Sequence, residues 1–138
     1  MILVLVLAAC GHKKTPKPEN PNTPELWETE SGIYFTKLAE VMEGSGGDCA
    51  KLVEGLKGIE EQSTHLAGVL VESGHQLKDH PVDAHTRERI SKHRTLFDRC
   101  EAEKTDGFGD AVNATLFTVE PLKDDNRESA YRRFFTPE

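Results

Sequence analysis

At 138 residues the chain has the length of one domain, and its 36% hydrophobic content gives that domain only a modest core. The formal net charge is −7 and the pI is near 5.4, so phosphate backbones are repelled and nucleic acid is excluded as a partner. The same charge gives no attraction to anionic lipid, so any hold on a membrane has to come from an anchor.

The N-terminus begins with an unbroken apolar run, Ile2 to Ala9. It is too short to span a bilayer as a helix and suits the core of an export signal. The run ends in Leu7-Ala8-Ala9-Cys10, which resembles the bacterial lipobox. That resemblance implies a signal peptide over 1–9 and a diacylglycerol on the Cys10 thiol. It also implies acylation of the freed amino group, with palmitate as the kind of chain added. Several acyl chains anchor stably where one holds only marginally. Gly11 after the cysteine is similar to the outer-membrane sorting pattern of Gram-negative bacteria, which implies the periplasmic face of the outer membrane in such a host. No Lys or Arg precedes the run, whereas export signals open on a basic stretch, and this points to a start codon upstream of Met1. The competing reading of Ile2–Ala9 is a buried apolar strand.

Residues 10–30 read as a tether. Four of the seven prolines, Pro16, Pro18, Pro21 and Pro24, fall in His12–Pro24, where apolar side chains are almost lacking. Proline removes backbone donors and favours extended geometry, so the stretch is a semi-stiff spacer reaching about 40 Å. Lys13, Lys14 and Lys17 lie within reach of lipid headgroups.

The folded domain is expected over 31–138, with a start near Leu26 or Ser31. A first helix places Tyr34, Leu38, Val41 and Met42 on one face, with Ser31 as its cap, and Gly44-Ser-Gly-Gly47 ends it. A second helix begins at Asp48. Leu52, Leu56, Ile59, Leu66 and Leu70 form its seam, and Ser63 fills the polar slot. Gly74 to His85, with Pro81, is a connection. A third helix carries Ile90, His93, Phe97 and Cys100 on one stripe. Asp106-Gly-Phe-Gly109 breaks it, and a short fourth helix over Ala111–Val119 stops before Pro121. No strand alternation occurs. The fold class is all-α, a small antiparallel bundle of three to four helices.

With Cys10 assigned to lipid, Cys49 and Cys100 remain, and an exported protein with one such pair bonds it. Closing a loop of about fifty residues contributes about 4 kcal/mol through chain entropy. The register strains this pairing. Two straight helices joined by a tight turn leave the cysteines offset by about 15 Å, well beyond the roughly 7 Å that a disulfide spans. Either the second helix bends near Gly55 and Gly58, or residues 75–85 travel back along the bundle. The alternative is two isolated buried thiols.

Gly46, Gly47, Asp48 and Cys49 entering a helix, with Cys100 some fifty residues on, are similar to a functionally obscure class of small exported lipoproteins. In outline only, the architecture resembles the pilotins that bind a secretin's tail in type II secretion.

His75, His80 and His85 recur every five residues with Asp79 and Asp83 between them, a ligand set suited to Zn, Cu or Ni. Five-residue spacing does not share a helix face, and solvated histidines in a polar loop are the plainer reading. His65 and His93 can face each other near the seam, and a histidine on an apolar stripe, as His93 is, is more often a hydrogen-bonded core residue than a ligand. No Cys-x-x-Cys-His is present, so covalent haem is excluded, and no cofactor is implied. Asp106-Gly-Phe-Gly-Asp110 lacks the strand and the Lys-Ser/Thr of a phosphate loop. Glu60 with Glu61, and Asp124 with Asp125, diverge on a helix and make no acid/base pair. The Asn113 sequon carries little weight in bacteria.

The stretch Tyr131-Arg132-Arg133-Phe134-Phe135 has the composition of an interface. Against that, Tyr131 and Phe135, four apart, can pack back onto the bundle. The leading functional expectation is a non-enzymatic module, anchored to the membrane by lipid, that binds an envelope protein through an exposed apolar or aromatic patch. The alternative is a metal- or small-ligand-binding protein using the 75–85 segment. An enzyme requires a catalytic cluster that the spacing does not show.

Overall fold

The computed structural model describes residues 25–80, 82–120 and 134–135. The expected signal, Cys10 and the prolines of the expected tether lie outside these residues. Helix α1 spans Leu26–Gly44. It starts at the earlier of the two expected positions because the Glu28 carboxylate turns back to accept the Glu25 backbone N–H at 3.0 Å. Ser31 is therefore not a cap: it sits a full turn inside α1 and is wholly buried. Tyr34, Leu38 and Met42 form the buried stripe, extended by Trp27 and Phe35.

The seam from Leu52 to Leu70 is buried as its spacing predicts, but two helices carry it, α2 (Cys49–Lys57) and α3 (Glu60–Ser73). The chain breaks at Gly58 and Ile59. Across the break the Ser63 hydroxyl donates to the Ile59 carbonyl at 3.1 Å, which accounts for the polar slot in an apolar row. Asp48 caps α2, accepting the Lys51 N–H at 3.0 Å.

The connection that follows holds one short 3-10 turn, Leu77–Asp79, pinned by the buried Leu77. The expected third helix is also two: α4 (Ala84–Ser91), capped by Asp83 through Thr86, and α5 (Arg94–Ala102). No Gly or Pro marks the break at Lys92 and His93. Its local cause is the His93 imidazole, whose Nδ1 donates to the Arg89 carbonyl at 2.9 Å and replaces a helical N–H. Helix α6 runs from Phe108 to Thr115, starting three residues before the sequence reading placed it. Gly107 makes this possible by taking a left-handed φ of 78°. Helix α5 has already ended at Ala102, closed by Lys104 at φ 54° and by the Thr105 N–H donating to the Cys100 carbonyl, so the glycine-rich stretch starts α6 and does not end α5.

Among the described residues there are thus six α-helices, because two of the expected helices are each broken once, and there is no strand. Helix α1 packs on α2, α3 and α4, and α6 closes the other side against α2, α3 and α5. The Tyr34 hydroxyl, fully buried, donates to the Thr115 carbonyl at 2.9 Å and ties α1 to α6. At the surface Arg89 grips Glu43 with two 2.7 Å bonds, joining α4 to the end of α1. Cys49 and Cys100 are bonded, with Cα atoms 5.6 Å apart. The breaks after α2 and α4 remove the offset that straight helices impose. No helix of the described residues is long and apolar enough to cross a membrane.

Candidate functional site

The histidines of 75–85 are held apart. His75 stacks on the Trp27 ring at 3.9 Å between centroids, and its Nδ1 lies 3.5 Å from the Asp79 carboxylate. His80 stacks on Phe35 at 6.0 Å. His85 is exposed in the first turn of α4. Each ring has a separate setting, and among the described residues no three His, Cys, Asp or Glu side chains are grouped to hold a metal ion. His65 faces Glu30 of α1 at 3.6 Å rather than His93.

Of the C-terminal stretch, Tyr131, Arg132 and Arg133 lie outside the described residues. Phe134 and Phe135 are core residues, 3% and 4% exposed. Phe135 meets Phe97 at 5.0 Å, and the Arg94 guanidinium lies 5.9 Å from its ring centre. For these two side chains the packing alternative describes the structure, and neither offers an open surface. The large apolar side chains exposed among the described residues are Leu26, Ile33 and Val71, none of them aromatic. Among the described residues, therefore, the surface presents no aromatic patch.

It presents a trough instead. The outward face of α1 forms one long wall, through Glu28, Thr29, Gly32, Ile33, Thr36, Lys37 and Glu40, and His80 with Asp83 form a short opposite one. The space measures about 720 Å³. These positions recur at three- and four-residue steps, so the helix period itself lines them up over roughly 18 Å. Gly32 gives the trough its low floor: a Cβ there would touch the edge of the His80 ring at 3.9 Å. Three carboxylates face one ammonium. Burial pushes the His80 imidazole below its usual pKa, against the opposing pull of Glu28 and Asp83. His80 therefore adds no cation to the trough at neutral pH. Asp83 is held below the usual carboxylate range by the bonds it accepts from Thr86.

Behind the trough, three buried polar atoms have no hydrogen-bond partner: Trp27 Nε1, Ser31 Oγ and His80 Nδ1. All lie where the first half of α1 meets the 75–80 connection, the least satisfied polar contact of the described core. A second hollow of about 370 Å³ between α5 and α6 is lined by Cys100, Glu101, Lys104, Thr105, Phe108 and Gly109.

Of the trough residues, sequence reasoning singled out only His80 and Asp83, and for a different reason. Glu28, Gly32, Thr36, Lys37 and Glu40 were legible as the polar face opposite Tyr34, Leu38 and Met42. What the α1 periodicity does not contain is the second wall, which exists only because the connection folds back over α1. Comparison with protein families, with curated proteins and with solved structures finds nothing that matches this chain.

Proposed function

We propose that the chain is a lipid-anchored envelope protein whose helical domain binds a protein partner without catalysing a reaction on it. The observation that supports this most is the pairing of the cysteines. Cys49 and Cys100 are joined, which suits an oxidising compartment. Of the three cysteines this leaves Cys10, the one in the lipobox-like sequence, for acylation. The proline-rich stretch then spaces the domain from the lipid, on the periplasmic face of the outer membrane in a Gram-negative host. The trough along α1 suits recognition: it is open on its long side, and its groups bind charge rather than enclose a small molecule.

Two measurements test this. Labelled palmitate should enter the full-length chain, and Cys10→Ser should abolish the label and shift the protein to the soluble fraction. Retention of both label and membrane association in that variant overturns the anchor. Photo-crosslinkers placed singly on exposed positions of α1, α3 and α4 in cells should then join one envelope protein from adjoining positions of one face. Absence of such a product from every position removes the binding role.

A further inference from the structure

We infer that the trough along α1 seats an extended, lysine- or arginine-bearing segment of the partner, so that recognition is led by charge. This rests on the binding role proposed above and names the surface and the chemistry. Three observations carry it. First, the lining opposes Glu28, Glu40 and Asp83 to Lys37, with the Arg89 guanidinium, itself paired to Glu43, near Glu40 and Asp83, within a region, residues 25–120, that holds nineteen acidic and ten basic side chains. A cationic segment meets complementary charge there and is steered toward it from a distance. Second, the shape fits a chain rather than a compact ligand. One wall runs about 18 Å along a helix and the other is only His80 and Asp83, so an occupant can enter and leave at both ends. Third, Ile33 stands 37% exposed between the carboxylates, over the low floor at Gly32. A lysine or arginine stem lies along such an apolar side chain while its head reaches a carboxylate.

Two of the acidic groups are also held in place before anything binds. Asp83 is held by Thr86 as the cap of α4, and Glu28 is held by the Glu25 N–H. Both carboxylates are fixed by backbone they already serve, so a cation binds without first ordering them.

The test uses the full-length chain and a synthetic peptide of about twelve residues alternating lysine and alanine, with a glutamate–alanine peptide as control. Binding is followed by backbone amide shifts at low and physiological salt. The lysine peptide should perturb Thr29, Ile33, Thr36 and Asp83, and the glutamate peptide should not. Glu28→Gln with Glu40→Gln should weaken binding about tenfold, as the loss of two charge pairs predicts. Glutamine at position 28 still closes the helix start, so the fold is kept. Glu54→Gln with Glu61→Gln, exposed and outside the trough, should cost less than twofold. Equal losses from the two pairs reduce the effect to net charge and overturn the site. So does the absence of shifts in α1. Tighter peptide binding after Lys13→Gln, Lys14→Gln and Lys17→Gln would assign the trough to the chain's own N-terminal lysines and overturn a partner as occupant. Crosslinking in cells reports capture on any face, so capture without peptide binding removes this surface and leaves the binding role standing.

Discussion

His80 concentrates several constraints in one ring. It stacks on Phe35, stands over Gly32, walls the trough, and keeps a buried Nδ1 with no partner. Burial lowers its pKa from the usual value of 6.5, so the folded chain resists a proton that the unfolded chain accepts. Protons then favour the unfolded state, and stability falls as pH drops from about 6.5 through the folded value. The lowered pKa values of Glu43 and Asp83 act in a different window, below about 4.5, where unfolded carboxylates protonate. Thermal melts between pH 8 and pH 5 should show a falling midpoint, and His80→Gln should flatten that slope while leaving the loss below pH 4.5. An unchanged slope between pH 7 and pH 5 in the variant would show that His80 is not its source. Trp27 Nε1 and Ser31 Oγ, unpaired beside it, mark the same contact as one that backbone and apolar packing hold together without polar help.

Of the glycines in the described helices, Gly55 of α2 lies closest to a neighbouring side chain, Val41 of α1. A Cβ there would lie 2.7 Å from Val41 Cγ1 and 3.5 Å from its Cβ, too close for a β-branched side chain to yield. Gly55→Ala should therefore destabilise by about 1–3 kcal/mol in denaturant unfolding, despite the better helix propensity of alanine. Val41→Ala should recover most of that loss in the double variant, and simple additivity of the two changes would refute the contact as the cause. This contact also separates what the sequence expressed from what it did not. The stripes Tyr34–Leu38–Met42 and Leu52–Leu56–Ile59–Leu66–Leu70 are periodic and buried as read, while Val41, expected on the first, is half-buried at its edge. The break at Gly58 had a glycine to announce it. The break at His93 had none, because its cause is a side-chain bond to the Arg89 carbonyl within an otherwise helical pattern. Ser31 misled for a related reason. Serine is a common cap, but the Glu25–Glu28 pair, with Glu25 six residues earlier, closes the helix start instead.

At the scale of the molecule, the disulfide links the first residue of α2 to the late turns of α5 across 51 residues. Replacing both cysteines by serine should cost about 4 kcal/mol, read as a lowered denaturant midpoint. A loss below about 1 kcal/mol would mean that the unfolded chain is already restrained without the bond. The pairing was legible from the cysteine count, while its geometry was not, since it depends on two helix breaks of which one is silent in the sequence. The trough was half legible for the same reason: its long wall is a local pattern, and its short wall is tertiary.

The two sulfurs of that bond differ in access. Cys100 is wholly enclosed, and Cys49 is half-buried with the Glu103 carboxylate 3.9 Å from its Sγ. Arg99 fastens this corner from outside, donating to the Gly47 carbonyl and pairing with Glu103 at 3.7 Å. An attacking thiolate can reach only Cys49 and must expel its electrons onto a sulfur enclosed among apolar side chains. Once closed, the crosslink is thus shielded from reductants on its Cys100 side by the same fold it stabilises.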